Sequence, residues 1–451
     1  MGQTFFENNY RSHRMNDTAR SRYLNKLARW TTGIIISLIF VPFLGFYSGT
    51  QFTTFSPLMT ILMLGLVFAL AIPGLNFTAI KFNLLDYTLM ILLCWFLITA
   101  ILSEIPYLAI KRWVLIAGSG LMFYIIGRLA QDPTESINKQ SYALVTILIL
   151  SGIFALGVFL LGAKIEIFQP GEIRYFVRYD TLGQYFDLGI GQAYAGRRIE
   201  NWFLFRPTGL FSNPNGFAVF TMIGLIIVHL TIKNRIIRIL LMCISLALIC
   251  WTFSRAVIIA SCIAYIFIYS SGKRRRISLQ FASIILVPVS ILLFYCVIFI
   301  FGSVGGTEAE TEFLRFANRG NVWNEAITLA IQSNLWTGSG FGISQEVHTG
   351  LSDSVFSIWI TLLLETGIIG VMLATTLVVG TLSVLSSAIL RTTDKSIRSC
   401  LLTIAGLVVA ITIHQCFDLG IFRFHPLHML FFLLVGLSAN PELITQHATK
   451  Q

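Results

Sequence analysis

The chain has 451 residues, 55% of them hydrophobic and 12% charged, with a net charge of +11 and a mean hydropathy of +0.77. So little charge could not cover so much apolar surface in water, which excludes a soluble globular enzyme and points to lipid as the solvent. The positive balance does not mark a nucleic-acid binder: basic residues fall in short loops between apolar runs, without aromatic interleaving suited to base stacking. Anionic headgroups and positive-inside topology account for it.

In chain order, Met1 to Arg29 is polar, with Arg11, Arg14, Arg20, Arg22, Lys26 and Arg29, and reads as a cytoplasmic tail (about 1–30) without a removable signal peptide. About twelve spans follow, near 31–48, 56–75, 84–103, 112–128, 143–163, 214–232, 238–254, 256–271, 279–302, 368–390, 399–415 and 426–439. The expected fold is therefore an all-α polytopic transmembrane helical bundle, a single membrane domain over 1–451. Val355 to Leu364 is apolar but too short to cross alone, so it is re-entrant or begins the next span. The seven cysteines lie almost all in apolar runs without metal-ligand spacing, as small buried hydrophobes do.

With the N-terminus inside, the even connections carry Lys81, then Arg128 and Lys139, then Lys233, Arg235 and Arg238. They continue with Lys273 to Arg276, then Arg391, Lys395 and Arg398. This alternation obeys the positive-inside rule and places both termini in the cytoplasm. Two outer connections are long, 163–213 and 302–353, and loops of that length draw attention as functional. They hold Arg174, Arg178, Arg197, Arg198 and Arg206, and Arg315 and Arg319, while Arg255 ends a tight outer turn. Charge placed against the topological bias needs local carboxylates or an anionic ligand.

Arg206-Pro-Thr-Gly209 leads to Asn213-Pro214-Asn215-Gly216, a helix start with capping asparagines and a first-turn proline. A helix N-terminus beside an arginine suits an anion, and on the outer face of a membrane that means a lipid-linked phosphate. Ser254-Arg255 fills a whole outer turn. In the second loop Val322, Ala326, Leu329 and Ala330 share one helical face, predicting an amphipathic helix on the bilayer, with Trp323 and Trp336 as interfacial anchors or sugar platforms. Gly338-x-Gly340-x-Gly342 lacks the strand-before, helix-after setting of a dinucleotide site. His348, Asp353, Glu365, His414 and Asp418 are the groups near the outer mouth that could take a proton from a hydroxyl. Asp353 would equally cap the apolar run, and Glu365 reads as structural beside a helix break.

The order of these motifs, Arg206…Gly209…Asn213-Pro-Asn215, Ser254-Arg255, Arg319…Trp323, the glycine run and Glu365-x-Gly367-x-x-Gly370, resembles the O-antigen ligase and polysaccharide polymerase superfamily of bacterial inner membranes. The resemblance is carried by about 204–370, and by the number of spans before it. It implies metal-independent glycosyl transfer at the periplasmic face, with no cofactor, from a glycan on undecaprenyl diphosphate to a sugar hydroxyl. It implies that Arg206, Arg255 and Arg319 hold the diphosphate. Charged guanidinium groups suit that leaving group, as a metal would elsewhere. Ligases of this family carry a histidine about nine residues before the position matched by Glu365; here that residue is Phe356. Asp353 becomes the substitute base and His348 its competitor, which favours a polymerase of O-antigen, capsule or exopolysaccharide over a ligase acting on lipid A core or protein. A chain-length regulator and a flippase would be the protein partners of such an enzyme. A transporter or flippase without chemistry would show broken helices in matching halves, and no such pairing stands out.

Overall fold

In a computed structural model the described residues are 75, 82–130, 144–153, 156, 164–169, 172–176, 192–193, 214–252, 254–272, 319–347, 355, 357–423, 426–441 and 443. The helices are α1 (Leu84–Ile101), α2 (Pro106–Leu129), α3 (Leu144–Ile153), α4 (Pro214–Thr231), α5 (Arg235–Thr252) and α6 (Arg255–Gly272), followed after the second long loop by α7 (Arg319–Ser333). The short α8 (Ser344–Val347), then α9 (Ile358–Arg391), α10 (Lys395–His414) and α11 (Pro426–Ser438) complete the order. Of these, α1, α2, α5, α9 and α10 are long and apolar enough to cross a membrane; α3, α4, α6 and α11 are shorter apolar helices. They follow the expected spans closely, and the chain is a multi-pass membrane protein. The expected spans 31–48 and 279–302, most of 56–75 and the N-terminal tail lie outside the described residues.

The bundle is helical as expected, and a small sheet is added to it. The first long loop contains β1 (Lys164–Gln169), β2 (Glu172–Phe176) and β3 (Gln192–Ala193), paired antiparallel in that order, with Lys164 opposite Phe176 and Arg174 opposite Gln192. Lys-Ile-Glu-Ile and Glu-Ile-Arg-Tyr alternate polar and apolar residues with the strand period of two, a signal too short to register against membrane-length windows.

Two polar ends define the bundle. At one, Asn83 and Asp86 cap α1 reciprocally, and the buried Asp86 accepts from Tyr124 Oη at 2.5 Å and Arg128 Nε at 3.3 Å. Asn440 Nδ2 donates to Gly127 O and Ala130 O at the same end. Between these helices α2 and α11 approach backbone to backbone: a methyl on Gly127 would lie 2.7 Å from Leu437 N, and one on Gly436 would overlap Tyr124 O. The start of α10 is tied to the ends of α6 and α4, Arg398 donating to Ser271 O and Ser399 to Leu230 O. At the opposite end the α1–α2 turn, the segment after α7 and the connection from α10 to α11 meet, with Ser103 beside Gly340 and Arg423 bonded to Glu365.

The helix predicted to lie on the bilayer is α7, but its apolar face is covered by protein. Val322, Trp323, Ala326 and Ala330 are buried and pack toward α9, while Leu329 is half-buried. Small alanines at the contact let the helices approach closely, so this face serves packing rather than lipid.

Candidate active site

The outer end is organised around a break in α9. Gly367 has φ 66° and ψ −173°, a backbone setting open essentially to glycine alone. Such a break releases carbonyls from the helical ladder, and at membrane depth each must find another donor. The segment after α7 supplies them: Ser339 N donates to Leu364 O at 2.9 Å and Gly340 N to Glu365 O at 2.9 Å. Trp95 Nε1 donates to Thr366 O at 3.0 Å, and Ile368 N returns a bond to Leu335 O at 2.8 Å. The glycine run is thus a strap laid against the broken helix. Its residues Gly338, Gly340 and Gly342 have φ of 68°, 121° and 82°. A methyl on Gly338 would sit 2.5 Å from Thr366 N and one on Gly367 2.6 Å from Thr337 N, so the two backbones touch where no side chain fits.

Glu365 is completely buried under this strap. One oxygen accepts from Gly342 N at 2.9 Å; the other accepts from Ser344 N at 3.2 Å, Ser344 Oγ at 2.7 Å and Arg423 Nη2 at 2.6 Å. A carboxylate out of water persists only when so compensated. On the other side of Gly342, Arg112 donates to Gly342 O and grips Glu346 of α8 with both terminal nitrogens. That hydrogen-bonded guanidinium holds the Glu346 carboxyl below its ordinary range. A methyl on Gly342 would lie 3.4 Å from Arg112 Cδ and 3.9 Å from Arg423 Nη1, so two arginines flank one glycine.

The connection from α10 to α11 forms the remaining wall. Gln415 O accepts from Ile358 N at 3.0 Å, fixing the start of α9, while Gln415 Oε1 accepts from Gly420 N and Ile421 N. Beside it His414 Nε2 lies 3.7 Å from Asp418 Oδ2, and Gln415 Nε2 lies 3.2 Å from His414 Nδ1.

The expected site residues fall unevenly on this frame. Arg206, His348, Asp353 and Phe356 lie outside the described residues. Arg319 opens α7 and Arg255 opens α6, where Arg255 is exposed next to the buried Ser254. Asn215 is in the first turn of α4, partly buried, after the first-turn proline expected there. Trp323 is neither anchor nor platform: it is buried and its Nε1 donates to Val355 O. Glu365 is the structural carboxylate expected beside a helix break. Sequence reasoning missed Arg112, Glu346, Gln415 and Arg423, although Arg112 and Arg423 violate the positive-inside bias as clearly as the arginines it selected.

Residues 240–375 match the family model described as O-Antigen ligase. The match takes in Arg255, Arg319, the glycine strap and Glu365, and ends beyond the break in α9; it bears out the resemblance to the O-antigen ligase-related superfamily. No curated protein matches the chain.

Proposed function

We propose that the chain joins glycan repeat units at the periplasmic face of a bacterial inner membrane, taking the glycan from undecaprenyl diphosphate and adding it to a sugar hydroxyl. The hydroxyl oxygen attacks the anomeric carbon, the bond from that carbon to the diphosphate oxygen breaks, and the electron pair leaves with the diphosphate. Arg206, Arg255 and Arg319 hold that leaving group and stabilise its growing charge without a metal ion. The hydroxyl proton passes to a base, for which the sequence offers Asp353 and, as competitor, His348.

The observation that carries this reading is the strapped break of α9, with Glu365 buried beneath it, lying inside the stretch that matches the O-Antigen ligase model. A second reading, ligation of finished glycan to lipid A core or protein, is favoured by the description of that model. Phe356 in the place of the ligase histidine favours polymerisation.

The test is transfer by purified protein in nanodiscs, supplied with lipid-linked repeat units extracted from cells lacking it. Polymerisation yields a ladder of longer glycans still on the lipid; ligation yields product only when lipid A core or protein acceptor is added. Arg→Lys at positions 206, 255 and 319 together should lower turnover at least about 100-fold, because lysine keeps the charge but loses the two-pronged fit to a diphosphate. EDTA should leave the rate unchanged. Wild-type rates from the triple variant would refute the arginine assignment.

A further inference from the structure

We infer that Asp418, backed by His414, is the proton acceptor for the attacking hydroxyl; the inference rests on the glycan-transfer reading above and assigns a step within it. A hydroxyl is a poor nucleophile at neutral pH, so the reaction needs a carboxylate or imidazole that is open to substrate and not consumed by another charge.

The described carboxylates at the outer end divide sharply by that test. Glu365 is fully buried and spends both oxygens on Gly342, Ser344 and Arg423. Glu346 is gripped by both terminal nitrogens of Arg112. Glu104, in the turn between α1 and α2, and Glu325 on α7 are exposed, and neither has a hydrogen bond or ion pair that would orient it among the described residues. Asp418 is about one-third open to solvent, as Glu346 is, but among these described carboxylates it is the one that faces an imidazole instead of a guanidinium. Its Oδ1 accepts from Leu419 N at 2.8 Å, which fixes the carboxylate plane and leaves Oδ2 toward His414.

The neighbouring amide sets the tautomer of that imidazole. Gln415 Oε1 accepts from two backbone N–H groups, Gly420 and Ile421, so the other end of the amide must be the NH2. It points at His414 Nδ1, which therefore accepts, and the ring proton of neutral His414 sits on Nε2, 3.7 Å from Asp418 Oδ2. That separation is an ion-pair distance longer than a hydrogen bond, and such contacts tighten when substrate fills a site. The chain Gln415–His414–Asp418 thus holds a proton donor behind the partly open carboxylate, an arrangement that orients a base. Gln415 O also accepts from Ile358 N, and Arg423, further along the same connection, binds Glu365. The pair is accordingly anchored to both sides of the first half of α9.

In the step, Asp418 takes the hydroxyl proton as the oxygen bonds to the anomeric carbon, and water carries it away after the lipid diphosphate leaves. Asp418 would be a catalytic residue and His414 a positioning residue.

The nanodisc assay with extracted lipid-linked repeat units tests this. Asp418→Asn should lower kcat at least about 100-fold while KM for the lipid donor stays within about twofold, and Glu104→Gln should keep the wild-type rate. Asp418→Gly should regain turnover on addition of formate, a response that a merely structural carboxylate would not give. His414→Gln, which can still present an N–H toward residue 418, should retain more kcat than His414→Phe. Wild-type rates from Asp418→Asn, with loss on Asp353→Asn, would move the role to Asp353 and overturn the inference. So would a loss at Asp418 that formate does not restore. Absence of transfer by the wild-type protein would overturn the glycan-transfer reading, and this inference with it.

Discussion

Replacing Glu365 by glutamine changes one atom and should loosen the outer end of the bundle without unfolding the rest. Both carboxylate oxygens accept hydrogen bonds, one from Gly342 N and the other from Ser344 N, Ser344 Oγ and Arg423 Nη2. An amide supplies only one oxygen. Its best placement keeps that oxygen toward Ser344 and Arg423, and turns the NH2 against the Gly342 N–H at about the former 2.9 Å. Two donors then face each other in a site closed to water, which costs about 1–3 kcal/mol. Arg423 also loses its counter-charge; it is 22% exposed, so water relieves part of that loss. Together these give about 2–4 kcal/mol, below the 3–5 kcal/mol expected when one partner of a fully buried pair is removed.

The loss should be local, because this carboxylate joins the strap to the connection before α11, while backbone bonds elsewhere hold each of them. Hydrogen exchange of purified protein in nanodiscs should report faster exchange at Gly342 and Ser344 in Glu365→Gln, and faster still in Glu365→Ala, with exchange in α10 and α11 unchanged. Wild-type protection of Gly342 and Ser344 in the glutamine variant would refute the reasoning, since the lost acceptor bonds would have had no energetic weight.

Gly367→Ala should prevent stable insertion or cut the yield of folded protein severely, because alanine is strained at φ 66° and its methyl meets Trp336 O; Gly118→Ala, where nothing lies within 4 Å, is the matched control in the same expression assay. Cysteines placed at Gly306 and Gly272 should react with an impermeant thiol reagent from opposite sides, Gly306 from the periplasm; labelling of both from one side would sink the topology. Glu346→Gln should lower the melting temperature slightly at pH 7. The folded pKa of Glu346 lies below its ordinary 4.5, so the stabilisation is present above that value and fades as pH falls through the folded pKa. The pair is about one-third exposed, which limits the effect to roughly 1 kcal/mol, or about 2 °C. An equal difference at pH 7 and well below pH 4 would contradict it.

Helix positions were legible because a membrane leaves few alternatives: long apolar runs had to be helices. The apolar run 355–364 resisted assignment because hydropathy cannot distinguish burial in lipid from burial in protein. Its helical part, Ile358 to Thr366, is buried on nearly every face and continues into the next span across the break at Gly367, whereas the second half of α9 exposes Met372. The glycine run was visible, but its partner was not: the strap pairs with the carbonyls of Leu364 and Glu365 that only a broken helix releases. Trp323 was misjudged for a related reason, since outer loops are read as wet and this tryptophan is buried, with its Nε1 donating to Val355 O. Arg112 and Arg423 escaped notice because each lies beside the end of a span, where a terminal arginine is ordinarily taken to reach for headgroups.

The same logic separates the charges at this end into two kinds. A polar group near the membrane surface is either satisfied by fixed partners or left to water and substrate, and the two conditions suit opposite tasks. Glu365 and Arg423 are spent on each other and on the strap, as are Arg112 and Glu346, so they contribute shape: they hold the broken helix, the glycine run and the connection to α11 in one arrangement before any ligand arrives. Preorganised surroundings are what make an electrostatic site effective, because no reorganisation is then charged against the reaction. Groups that do chemistry must be the remaining ones. Asp418 qualifies by exposure and by the imidazole behind it. For binding of the diphosphate, mutagenesis starts from Arg206, Arg255 and Arg319, the arginines that the sequence motifs select, rather than from the ion pairs that shape the strap.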